Sequence, residues 1–200
     1  MEILRKIPHE TCAEILERAN LSEEALAIVN GDMSPYDVSS ALMDAAMIFD
    51  ICQFWPHALP TRESLCWAVA CLESAPQGVK DTDVAALTLV SEWILDPQEG
   101  RRQTALKMVD DLKGDTSGHW LCQGLVWNGS GSIVPPGTPT VLPAPYLHAK
   151  ALYGAVALST PIEEAEFPEM AKRLHTLGLE IAQGGWPIKQ ARKTTQGAAL

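Results

Sequence analysis

Cysteine and histidine are the side chains of this sequence with the most chemical reach, and their spacing limits what they can do. Cys66 and Cys71 lie five residues apart, and His119 and Cys122 lie three apart. Zinc favours sulfur and imidazole ligands, but a closed structural site takes four of them. Helical positions five apart point about 140° away from each other, so Cys66 and Cys71 cannot grip one ion. His119 and Cys122 can share a helical face, yet two ligands are not a site. No metal and no cofactor is expected. A cysteine nucleophile needs a base beside it, which His119 or His148 could supply to Cys122. No local signature frames any of the five cysteines, and no motif lowers a thiol pKa. Ser130 and Ser132 stand in Gly129-Ser-Gly-Ser, not in a strand-to-helix G-x-S-x-G elbow. The same glycine-rich run lacks the Lys-Ser or Lys-Thr and the succeeding helix of a phosphate loop. Core cysteine and turn serine are the expected roles, and no catalytic residue is assigned.

The elements that must position these groups read as helices, and strand signals are nearly absent. Thr11 with Glu14 has the form of a capping box, and Ser22 opens a short helix that Asn30-Gly31 ends. Ser34-Pro35 joins a capping hydroxyl to a first-turn proline. Helical spacing then carries Val38, Leu42, Ala45, Ala46, Phe49 and Cys52 to a stop before Pro56. Thr61 opens a segment apolar almost all round, which belongs at the centre of a bundle. Further helices start near Asp81, at Asp96-Pro97 and at Ser117, then at Pro145 and Glu163, and Gly184-Gly185 ends the last. The expected fold is all-α: a single-domain helical bundle of eight or nine helices over residues 1–187, with a disordered tail over 188–200.

Between the helices near Trp120 and Leu147 runs Pro135-Pro136-Gly-Thr-Pro139-Thr-Val-Leu-Pro143-Ala-Pro145. Proline fixes its own φ and biases the residue before it towards extended backbone, so this crossing is expected to lie as an ordered strap packed on Trp120 and Trp127. Of the six tryptophans, Trp55 and Trp186 stand beside prolines at helix ends and are expected to be the exposed ones.

The formal net charge is −10, which argues against a nucleic-acid partner. The apolar run through Cys66 to Leu72, which begins at Leu65, is too short to span a bilayer, and no secretory leader is expected. Cysteines set inside apolar helices, with no disulfide framework, point to the cytoplasm.

The run Val126-Trp127-Asn128-Gly129-Ser130, the proline strap, Leu147-His148-Ala149 and the earlier Cys66-Trp67-Ala68-Val69-Ala70-Cys71-Leu72 together resemble an uncharacterised bacterial family, domain of unknown function 6931, found among type VI secretion-associated proteins. The likeness runs from about Thr61 to Trp186. It departs from the family's pattern at Asn128-Gly129, where the family has Ser-Gly, and at His148, where a threonine is usual. The resemblance implies a setting rather than a reaction. The function expected is a non-enzymatic cytoplasmic adaptor or effector-handling factor that binds another protein, such as a secretion component or an effector. Its expected contact residues are Trp120, Trp127, Asn128, Ser130, Pro135, Pro136, Pro139, Pro143 and His148. Two alternatives stand beside it: a small enzyme with His119, Cys122 and His148 in a pocket under the strap, and an immunity protein.

Overall fold

The computed structural model describes residues 4–160 and 163–188, so all of the expected tail except Ile188 lies outside the described residues. Among the described residues the protein is all-α, with no strand. Ten α-helices occur there: α1 (Ala13–Arg18), α2 (Glu23–Leu26), α3 (Pro35–Asp44), α4 (Ile48–Ala58), α5 (Thr61–Glu73), α6 (Val84–Leu95), α7 (Glu99–Asp111), α8 (Ser117–Val126), α9 (Leu147–Ala157) and α10 (Phe167–Ala182). Two single 3-10 turns precede α6 and α10.

Helix α5 is the axis of the bundle. Every residue from Glu63 to Leu72 is buried, and α4, α6, α8, α9 and α10 all pack on it. Trp67 at its middle is fully buried and donates its indole N–H to the Leu174 carbonyl of α10 at 3.1 Å. Glu63 is the one carboxylate within that buried run, and Lys6 pairs with it at 2.9 Å. The all-round apolar pattern thus became a helix with almost no solvent face.

Local capping chemistry explains several boundaries. Ser22 Oγ accepts from Ala25 N–H, and Ser34 Oγ accepts from Asp37 N–H. Thr116 Oγ1, one residue before the expected Ser117, accepts from His119 N–H. Thr11 caps nothing, since α1 starts after Cys12 without a side-chain cap. Asp96 binds Gln98 and Arg101 side chains instead of capping α7.

The long helix expected from Pro35 to Pro56 is two helices. Ala46 takes φ 54°, Met47 N–H reaches the Leu42 carbonyl, and Ala46 N–H reaches Met43. This is the Schellman ending, normally given to glycine, made here on alanine. Helix α4 then continues through Pro56 to Ala58. Proline removes one backbone bond but its φ is helical, and its neighbours Phe54 and Trp55 are fully buried. Trp55 is therefore a core residue, contrary to the sequence expectation. Room for its indole comes from Gly178 of α10, where a Cβ would overlap the ring. Trp186 is the exposed one, flanked by the Arg62 guanidinium at 5.0 Å and Lys6 Nζ at 5.8 Å.

Candidate interaction site

Helix α8 ends at Val126, and the chain turns immediately. Asn128 Oδ1 accepts from both the N–H and the hydroxyl of Ser130 at 2.7 Å, and Gly129 has φ 87°. Beyond this turn the chain does not cross the bundle as a flat strap. It doubles back on itself. Ile133 N–H donates to the Val141 carbonyl at 2.8 Å. Ser132 Oγ accepts from Val134 N–H at 3.3 Å and from Val141 N–H at 3.2 Å, closing the same neck. At the tip, the Thr138 hydroxyl donates to the Pro135 carbonyl at 2.7 Å, and Gly137 supplies a φ of 93° that a side chain would oppose.

Pro135, Pro136 and Pro139 are exposed and Pro143 is half-buried. Pro135, Pro136 and Pro139 lie between the two sides of the neck and stay exposed, rather than buried under a flat strap. Val141 and Leu142 are exposed to 46% and 62%, the latter the most exposed of the large apolar side chains described. A short loop closed at its neck keeps order without burying its tip.

Two arginines hold the ends of this loop. Arg102 of α7 is completely buried. Its Nη1 donates to the Ser132 carbonyl at 2.8 Å and the Val126 carbonyl at 3.3 Å. Its other edge makes a two-bond fork with Glu99, at 2.8 and 2.7 Å, which holds that carboxyl below its usual range. Gly131 lies against the guanidinium so closely that a Cβ would meet it. At the other end, Tyr146 adopts φ 59° and stacks on Arg18 of α1, 4.1 Å from ring centre to guanidinium carbon. His57 and His148 flank the same ring, each at 6.4 Å. Arg18 Nη2 also donates to the His57 carbonyl at 2.9 Å.

The expected contact residues do not form one patch. Trp127, half-buried, leans on the core, while Asn128 and Ser130 make the turn at the neck. Trp120 is turned elsewhere: its ring packs on Gly154 of α9 and its N–H donates to the Gly114 carbonyl at 2.8 Å. His148 is buried, its Nε2 has no hydrogen-bond partner, and burial, with His57 nearby, pushes its pKa down to about 4. His119 stands edge-on to Trp120, and the Cys122 thiol faces the Met108 sulfur at 3.6 Å. Burial pushes the Cys122 thiol up to about 12, the wrong direction for a nucleophile. Among the described residues no group of three His, Cys, Asp or Glu side chains is arranged to hold a metal. Nor is any helix there long and apolar enough to cross a membrane.

Sequence reasoning missed Arg18 and Arg102. Neither sits in a motif, and both act on backbone carbonyls or a ring far along the chain.

Such an architecture, a helical bundle presenting a fastened loop, defines a structural class without a reaction attached. The chain belongs to a family of unknown function, DUF6931, whose model matches residues 38–182. The match opens inside α3 and closes at the end of α10. Neither a curated protein nor a solved structure matches the chain.

Proposed function

We propose that the protein is a non-enzymatic cytoplasmic accessory factor that binds another protein through the loop between Ser132 and Pro145. The observation that carries this reading is the exposure of Val141 and Leu142 on a loop whose neck is already hydrogen-bonded. Apolar side chains on a pre-ordered element lose little conformational entropy when a partner covers them. Proline at Pro135, Pro136 and Pro139 lowers that loss further. The partner we favour is a component or effector of the type VI secretion apparatus. That setting rests on the sequence resemblance and not on the loop itself. The enzyme alternative draws no support from geometry, since the side chains of His119, Cys122 and His148 have different neighbours.

The test is direct binding of the purified chain to the purified products of its neighbouring genes. Replacing Val141 and Leu142 together by Asp should weaken binding at least tenfold, an order typical of losing an apolar anchor. The matching control is Leu95→Asp, on an exposed apolar side chain of α6. Equal affinities for the loop variant and the control would overturn the reading.

A further inference from the structure

A second feature lies at the exit of the loop and is independent of the loop's own role. A groove of about 510 Å³ opens between α1, α4 and α9, a volume suited to a small molecule. Arg18 and Asn20 line it on one side, Gln53 and His57 on the second, Lys150 and Tyr153 on the third. Its charge runs against that of the molecule, which is −10 overall. Burial first, and then the charges of Arg18 and Lys150, hold the His57 pKa below the usual value. Tyr146 and His148 are further titratable groups beside His57, the second kept neutral by burial, and His9 Nε2 lies 3.4 Å from Arg18 Nη2. Glu17 is the carboxylate in the lining and is exposed; Glu14 sits 4.0 Å from Arg18 and is also exposed. Lys150 has no ion-pair partner among the described residues. His57 Nδ1 is 2.8 Å from the Gln53 carbonyl, which assigns the proton to that nitrogen and leaves Nε2 as the open position. Arg18 and Lys150 thus meet two exposed carboxylates, Glu14 and Glu17, at the groove, and of the two cations it is Lys150 that no carboxylate pairs among the described residues.

We propose that this groove binds a small oxyanion, a carboxylate or phosphate group, with Lys150 as its principal ligand, His57 Nε2 as a second and Arg18 supplying field from behind. Tyr153 and the side-chain amides of Asn20 and Gln53 offer neutral donors on the same lining. A bound anion favours the imidazolium form of His57, so binding takes up a proton from solution onto Nε2.

The test titrates the intact chain separately with inorganic phosphate and with acetate at constant ionic strength, tracking the His57 imidazole signals by NMR. Saturable displacement of those signals at millimolar anion is expected. A response to phosphate alone assigns the phosphate source, and a response to acetate assigns the carboxylate. Lys150→Gln replaces an exposed side chain and should weaken the response about tenfold or more, the scale of one charge-assisted contact. Lys107→Gln, an exposed lysine on α7, should leave it unchanged. No saturable response to either anion, or equal responses in the two variants, overturns the proposal.

Discussion

Replacing Arg102 by Met isolates what fastens the loop. Methionine keeps an unbranched apolar stem of similar length in the fully buried site, so the change removes the guanidinium rather than the packing. Three kinds of contact disappear: the fork to Glu99, the bond to the Ser132 carbonyl and the longer one to Val126. Breaking a wholly buried ion pair costs about 3–5 kcal/mol, because a charge is stranded. Here the stranded partner is not buried, since the Glu99 side chain is 57% exposed and regains water. Hydrogen bonds from a charged donor contribute about 1.5–3 kcal/mol each, and only the Val126 carbonyl lacks ready access to solvent. The expected loss is about 2–3 kcal/mol, or about 4–12 °C in Tm for a chain of this size. Thermal denaturation measures that loss. Hydrogen exchange reads the mechanism: the Ile133 amide, bonded to Val141 across the neck, should exchange faster than in the parent while amides of α5 keep their relative order of protection. Arg102→Lys should fall close to the Met variant, because an ammonium cannot reproduce the planar fork. A Tm within about 1–2 °C of the parent, together with unchanged exchange at Ile133, would refute the clamp.

Gly178→Ala and Gly100→Ala make a matched pair on helices. The first drives a Cβ into the Trp55 indole and should cost about 1–3 kcal/mol, whereas the second meets open space and should gain about 0.5–1 kcal/mol from helix propensity; equal melting temperatures would show that Trp55 can move aside. The two histidines beside Tyr146 make stability fall on acidification: their folded pKa values are depressed, so the unfolded chain binds the extra proton first. The loss begins near the unfolded value of about 6.5, is complete for His148 below about 4, and has a slope of at most about 1.4 kcal/mol per pH unit per histidine. Denaturant melts of His148→Gln across that window should show a flatter profile than the parent, and parallel profiles would refute the assignment. All five thiols are buried and free, with Cys12, Cys66 and Cys122 pushed up to about 12; a thiol reagent should label the native chain far more slowly than the unfolded one, and a burst of labelling would contradict the burial.

Features decided by neighbouring residues were legible in the sequence, and features decided across the chain were not. Ser22 and Ser34 cap because the acceptor and the amide it serves are three residues apart, so the signal sits in one window. Helix α5 announced its place through an apolar pattern on all faces. The break at Ala46 escaped because α3 and α4 bury their apolar sides in the same core, so the spacing runs on across the joint. Alanine also gave none of the warning that glycine gives at a left-handed position. Trp55 was misjudged for a related reason: the proline after it ends no helix, and the space it fills is made by a glycine far along the chain.

The loop carries the same lesson into function. Its composition marked residues 128–144 as irregular, two residues short of where the helix begins at Leu147, yet whether such a segment lies flat or stands away depends on what grips its ends. Arg102 grips carbonyls 24 and 30 residues away, and every residue owns a carbonyl, so no residue type could flag the partners. The second grip, Arg18 on Tyr146, starts from α1, before the segment matched by the family model, whereas Arg102 lies within it. The two ends are therefore separable by experiment. Loosening Arg102 frees the neck that presents Val141 and Leu142, and loosening Arg18 frees the ring between His57 and His148 without touching that neck. If the protein works through the loop, the first change should impair binding of its partner more than the second. If it works through the groove beside Tyr146, the order should reverse.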